Sequence, residues 1–418
     1  MESTTDLISG LNDDVLLRIL ALLPDARQAV RTAVLSRRWR GLWARVPALR
    51  FDSGPEYQSP NDAEPFIAIV NYVIAPRAQP AGSGVEQLGI KMKLYYERGE
   101  PYLAAATVEA IEGWVWYAVQ HGLTSFAFEV DVIPKRWLHM YCKKEDTEEE
   151  EEDSDYSSAS DEEEGEEEEE EDADEEESEE EEEEEDEEES DEGNDEKETP
   201  VIALDELPSS TKLETLHLCL GHAGVRLPST SAIFTSLTDL ALLQLKITAD
   251  SDDDLSRFLS PACCPHLQKL RLGAVTFEHA RSKGLVLETS TLMELEMCSM
   301  YKMESLELRA PNLRVLEVVC CDHLERITMS AARLEQLMFS HNNSLEDGNG
   351  IQLDLPCVRR LQIDLVSHML YDCDINDTSI SFLKSCSSAT CLVVDLEVPW
   401  VCITLFQISY RIVISGSI

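Results

Sequence analysis

The sequence predicts an α/β protein: a solenoid of stacked, strand-containing coils, preceded by three short helices and interrupted by an acidic insert. Three observations predict it. The pattern L-x-x-L-x-L recurs along the C-terminal half. Residues 6–46 carry apolar side chains at helical spacing instead. Between these regions, the stretch from Glu145 to Glu198 holds 40 of the 83 acidic residues and one lysine, Lys197.

The repeat occurs at Leu213/Leu216/Leu218, Leu237/Leu240/Leu242, Leu267/Leu270/Leu272 and Leu292/Leu295/Met297. It continues at Met303/Leu306/Leu308, Leu313/Leu316/Val318, Leu324/Ile327/Met329, Leu334/Leu337/Phe339 and Val358/Leu361/Ile363, with a weaker copy at Ala389/Leu392/Val394. The last two apolar positions of each copy lie two apart, so they face one side of a short strand. The first sits at the turn entering it. One such unit cannot bury its apolar face alone, whereas stacked units bury a continuous core.

Spacing adds detail. Copies starting at 213, 237, 267 and 292 leave room for a strand plus a helix or long loop, and Asp250 to Leu259 reads as such a helix, with Pro261 after its end. Copies starting at 292, 303, 313, 324 and 334 are too close for that. They predict coils of about 21 residues with two strands, one on each face of the solenoid. Residues 47–144 read as irregular first coils: helix at Phe66–Ile74, strand at Leu88–Leu94, helix at Tyr102–Val119, strand at Thr124–Val130. Residues 199–398 are the regular solenoid and 399–418 a divergent tail, apolar but broken by Pro399, Gln407, Arg411 and Gly416, and read as terminal strand.

The acidic tract has no apolar face, and stacked like charges oppose a helix, so residues 145–198 are expected to be a disordered loop. It carries −39 of the net charge of −49. The rest is an ordinary, mildly acidic chain, and nucleic acid is excluded as an expected partner. No signal-peptide pattern opens the sequence, and twelve cysteines without C-x-x-C pairs point to free thiols in a reducing compartment, cytoplasm or nucleus. No metal-ligand spacing is evident, so neither metal nor cofactor is expected. Nucleotide-loop, zinc-protease, nucleophile-elbow and dinucleotide motifs are absent, and no catalytic site is expected. His217 and His266 flank repeat strands and read as framework or surface.

Residues 6–46 carry the functional clue. Asn12 is placed to cap a first helix, with Asp13 and Asp14 in its first turn and Val15, Leu16, Ile19, Leu20 and Leu23 as its apolar stripe. Pro24 follows its end. Asp25, with Gln28 three residues on, starts a second helix through Ala29, Val30, Ala33 and Val34. Ser36 is placed to cap a third, bearing Trp39, Leu42 and Trp43. So small a unit buries too little apolar surface to stand alone, and an exposed apolar face seeking a partner is expected.

The opening DDVLLRIL, the following LP and the close AVRTAVLSRRWRGLW resemble an F-box over about one-tenth of the chain. The motif departs at one point: Leu11-Asn12 stands where the family has Leu-Pro. Joined to leucine-rich repeats such as APNLRVLEVVCC (310–321), the whole resembles the plant F-box/leucine-rich-repeat family. The resemblance implies a non-catalytic substrate-recruiting subunit of an SCF-type ubiquitin ligase. The F-box would bind a Skp-type adaptor, and through it a cullin, while the repeats bind a target protein. Carried over from motif position, the adaptor-binding residues are Leu11, Ile19, Leu20, Leu23, Pro24, Val34, Leu35, Trp39 and Trp43. Two other readings stand beside it: a non-ligase repeat scaffold, and an acidic binder of basic proteins resting on the tract alone.

Overall fold

A computed structural model describes residues 8, 10–78, 84–96, 103–135, 200–228, 232–248, 254–277, 284–321, 323–342, 351–366, 377–386, 388–398 and 408–415. The chain divides into two units, Met1–Leu138 with Thr199–Ile418, and His139–Glu198. All described residues belong to the first; the acidic tract, and the expectation of a disordered loop there, lie outside them.

Three short helices come first: α1 (Asp13–Ala21), α2 (Ala26–Arg31) and α3 (Trp39–Leu42), the last two each running on into a 3-10 turn. The α1 cap is the expected one, the Asn12 side chain accepting from the Val15 N–H at 2.9 Å. Asp25 likewise caps α2 through the Arg27 N–H. The Arg27 side chain also holds that carboxylate, with Nε 2.8 Å from Oδ2. Ser36 does not cap α3 with its side chain: α3 has no side-chain cap bond, and Ser36 offers only its backbone carbonyl, to the Arg40 N–H. Asp13 joins the first helix to the third, accepting from Arg38 at 2.9 Å and from Arg45 at 3.2 Å.

The solenoid opens with β1 (Ala48–Asp52), α4 (Glu64–Ile74), β2 (Gln87–Tyr96), α5 (Ala105–Gln120) and β3 (Ser125–Pro134). Strand β1 was not foreseen, although Leu49 and Phe51 alternate after Pro47 and both are buried. Next come β4 (Val201–Ala203), β5 (Thr215–Arg226), β6 (Asp239–Ile247), α6 (Asp254–Phe258), β7 (Lys269–Phe277) and β8 (Gly284–Glu288). Then β9 (Glu294–Cys298), β10 (Ser305–Arg309), β11 (Val315–Val319), β12 (Arg326–Ser330), β13 (Gln336–Ser340) and β14 (Ile351–Asp354) follow. The described chain closes with β15 (Arg360–Val366), α7 (Asp377–Ser385), β16 (Cys391–Val398) and β17 (Ile408–Ser415).

A thirteen-stranded sheet runs β1-β2-β3-β5-β6-β7-β9-β11-β13-β15-β16-β17, with β4 beside β5. Every pairing in it is parallel except the last, β16 with β17. A second, four-stranded parallel sheet runs β14-β12-β10-β8. The close spacing of the middle copies therefore marks two sheets: copies starting at 292, 313 and 334 feed the long one, those at 303 and 324 the short one. All thirty apolar positions of the ten copies are buried, because the L-x-L pair of each strand points into the core between the sheets.

Helices replace the short sheet where coils are longer. Contacts from α6 reach β8, and the Val286 N–H at that edge donates to Ser256 Oγ at 3.1 Å; α7 packs against β14. Gln244 and Ala274 inside β6 and β7, and Ser299, Cys320 and His341 just past β9, β11 and β13, take positive φ, each two residues past the L-x-L pair of its coil. The repeat thus kinks at a fixed position.

Candidate protein-docking surfaces

Two surfaces remain once the core is assigned. The first lies on the helical module. Of the nine expected contact residues, Ile19, Pro24, Val34 and Leu35 are exposed, with Val34 at 87% and Leu35 at 64%. Leu11, Leu23, Trp39 and Trp43 are half-buried against the core. Leu20 is a correction: at 3% exposure beside Leu16 it packs the module and presents nothing outward. Sequence reasoning missed Leu22, exposed at 75%, and gave Val15 no contact role although it is exposed too. Val15, Ile19 and Leu22 stand at i, i+4 and i+7 and so line one exposed face of α1. The cue was present: α1 is apolar around most of its circumference, so one side had to remain open.

Arginines hold the module to the solenoid. Arg50 of β1 donates to the Ala21 carbonyl at 2.8 Å, at the end of α1. Arg27 of α2 donates to the Asp52 carbonyl of β1. Arg77, just past α4, donates to the carbonyls of Trp43 and Ala44 and lies 5.3 Å over the Trp43 ring. Burial lowers the Arg77 pKa, and its Nη1 has no partner among the described residues. Three main-chain carbonyl clamps therefore fix the exposed apolar face relative to the first coils.

The second surface is the solvent-facing side of the long sheet. Its rows are set by register: Arg50, Gly89, Ala127, His217, Ala241, Arg271, Glu296, Glu317, Met338 and Gln362 succeed one another across the strands. Small side chains at the start leave a recess of about 360 Å³ beside Pro24, floored by Gly89 and Ala127 and walled by Arg50, Asp52, Lys91 and Glu129. Lys91 and Glu129 pair across it at 2.9 Å. Further along, Arg271 bonds Asp239 and His217 at 3.2 and 3.0 Å, and Lys269 meets Glu294 at 2.7 Å. Glu296 and Glu317 stand opposite each other, neither paired with a cation among the described residues; burial, then Glu296, raises the Glu317 pKa. His217 thus serves an ion-pair network.

This mixed, outward-facing chemistry suits a protein surface. Among the described residues no cluster of His, Cys, Asp and Glu could hold a metal ion, and no helix is long and apolar enough to cross a membrane.

Comparison with known proteins points the same way. A family profile described as "FBD-associated F-box protein At5g56370, LRR repeats" matches residues 203–395. A putative FBD-associated F-box protein of Arabidopsis thaliana, At5g50270, is 41% identical over 87 residues, which are 21% of this chain and 20% of that one. Another from the same plant, At5g56390, is 57% identical over 101 residues, 24% of this chain and 22% of the relative. F-box/LRR-repeat protein 25 of Arabidopsis thaliana is 43% identical over 49 residues, 12% of this chain and 19% of its own length. The matched stretches thus span about a fifth of these relatives. No solved structure matches the chain significantly.

Proposed function

We propose that the chain is a plant F-box/leucine-rich-repeat protein, which the repeat profile over residues 203–395 and the similar Arabidopsis proteins support, and that it is the substrate-recognition subunit of an SCF-type ubiquitin ligase. In this reading residues 6–46 are the F-box, which binds a Skp-type adaptor and through it a cullin. The first coils (47–144) and the regular repeats (199–398) bind the target protein, and the role is non-catalytic. A reducing compartment, cytoplasm or nucleus, suits the free thiols.

One observation carries the reading. A module of three short helices leaves Val15, Ile19, Leu22, Val34 and Leu35 exposed while fastened rigidly to a solenoid. Exposed apolar side chains in that number call for a protein partner.

The test is co-expression with a Skp-type adaptor followed by affinity capture. Val34→Asp combined with Leu35→Asp removes contact area and buries charge at the interface. Loss of an interface anchor is typically worth about 2 kcal/mol, or roughly thirtyfold in affinity. Binding should fall by at least that factor, in Trp39→Ala as well, while circular dichroism of the repeats stays unchanged. Full retention of binding in both the double variant and Trp39→Ala sinks the assignment.

A further inference from the structure

The helical module is a basic island in an acidic chain. Residues 10–46 hold seven arginines against three aspartates, a net charge of +4, where the whole chain carries −49. The acids are mostly spent inside the module. Asp13 takes both Arg38 and Arg45, and Asp25 takes Arg27. Asp14, in the first turn of α1, is the one acid of the module without a cation among the described residues. Arg18, Arg31, Arg37 and Arg40 are all exposed, and none of their side chains has an ion pair or hydrogen bond among the described residues. Their positions follow the open apolar residues. Arg18 lies in α1 between Val15 and Leu22, next to Ile19. Arg31 precedes Val34 by three residues and Arg37 follows Leu35 by two. Arg40 stands on α3, which packs against the 3-10 turn that carries Val34.

We propose that the open side of the module is an apolar ridge rimmed by these four arginines, and that it docks a protein presenting carboxylates around an apolar groove. This rests on the adaptor reading above and names the chemistry that the Skp-type adaptor brings to the contact. A guanidinium stays charged throughout the working pH range and meets a carboxylate through two parallel hydrogen bonds. Four of them without acids of their own repel one another, and an acidic partner removes that repulsion. The apolar residues between the arginines decide the class of partner. Val34 and Leu35 are 87% and 64% exposed, and a phosphate backbone would give them nothing to bury against. A protein surface meets both demands, with apolar contact at the centre and paired charge at the rim. Rim charges of this kind act on encounter and on salt dependence, while the apolar centre sets how long the complex lasts.

The test is the affinity of the full chain for a purified Skp-type adaptor at about 50 mM and about 500 mM salt, since the higher salt screens exposed charge pairs. Arg18→Gln, Arg31→Gln, Arg37→Gln and Arg40→Gln are combined in one variant. Every other charge of the chain is common to parent and variant and cancels in the ratio of their affinities. Four exposed pairs predict a variant that binds roughly tenfold more weakly at low salt and about twofold more weakly at high salt. The same four positions changed to Glu should weaken low-salt binding further and converge on the Gln variant as salt rises. A misfolded module would instead bind at neither salt. A Gln variant as tight as the parent at low salt, or a ratio equal at both salts, overturns the rim and leaves the adaptor assignment standing. A parent that binds the adaptor at neither salt overturns both. Displacement of the adaptor by a short DNA duplex at low salt would hand the rim to phosphates and overturn it as well.

Discussion

At the scale of single residues, neighbours in sequence divide sharply between packing and display. Leu20 and Leu22 are both leucines in or just after α1, yet one is 3% exposed and the other 75%. Leu20→Ala should cost about 2–5 kcal/mol through the cavity it leaves, whereas Leu22→Ala should barely move the thermal midpoint. Equal melting curves for the two variants would contradict the packing described. Glu317 gives a prediction of opposite sign. Its pKa is raised in the fold, by burial and then by Glu296, so its ionised form opposes folding at neutral pH. That cost is present above the folded pKa and disappears as pH falls below the unfolded value. Like charges directly opposite on neighbouring strands typically cost a few tenths to about 1 kcal/mol, so Glu317→Gln should raise stability by about 0.5 kcal/mol at pH 7 and by nothing near pH 3. Denaturant titrations at the two pH values check this. The thiols divide in the same way. Burial pushes Cys264 up to about 12, and Cys219 and Cys386 to about 11, while Cys298 and Cys357 are exposed. Brief alkylation of the native protein at pH 8, read by peptide mass, should mark Cys298 and Cys357 and spare the other three.

At the scale of elements, the junction between helices and solenoid rests on charged donors meeting main-chain carbonyls. Arg77 is the most committed of them: it is 6% exposed, bonded to two carbonyls and stacked on Trp43. Hydrogen bonds to a charged group contribute about 1.5–3 kcal/mol, so Arg77→Ala should loosen α3 and its 3-10 turn by about that much. Hydrogen exchange should then speed up across residues 39–46 while β6 to β13 keep their protection; uniform acceleration or no change would argue against a local clamp. How much of this was legible beforehand depends on the kind of pattern involved. The long-sheet strands that carry the repeat were legible because L-x-L fixes both face and register, unlike β1 and β4, which carry no full copy, and the close spacing from 292 to 334 disclosed the second sheet through β10 and β12. Strands β8 and β14 escaped because Leu285/Leu287 and Ile351/Leu353 carry the alternation without the preceding leucine of the full pattern. The helix expected at Asp250–Leu259 is described only over Asp254–Phe258, since residues 249–253 fall outside the described chain. The expected contact face was half legible. Motif position found Val34 and Leu35, but a helix apolar on nearly every side cannot say from sequence which side is inside, and so Leu20 was placed outward and Leu22 overlooked. Nor could sequence reveal the arginine clamps, whose partners are carbonyls that carry no residue identity.

At the scale of the molecule, the long sheet crosses the site of the acidic insert without a break. Strand β3 ends at Pro134 and β5 begins at Thr215, yet the two are direct parallel neighbours, with Phe126 opposite Leu216 and Phe128 opposite Leu218. All four side chains are buried in the common core. The stacking that makes each coil stable is a nearest-neighbour property, so what matters across this gap is the β3–β5 interface and not the length of chain between the strands. Loop-closure entropy supports the same conclusion. It grows with the logarithm of length, at about 0.6 kcal/mol per doubling, so shortening a long connection gains a little stability so long as the ends still meet. Replacing residues 145–198 with a short Gly/Ser linker should therefore keep a single cooperative thermal transition, with a midpoint equal to or slightly above that of the parent. The variant loses 40 acidic residues and one lysine, so its net charge at neutral pH should change from −49 toward −10, a difference that electrophoretic mobility will register independently of folding. Two separate transitions, or loss of the cooperative one, would show that the tract holds the β3–β5 neighbours together. A preserved transition would assign the whole folding free energy of the described chain to the coils on either side.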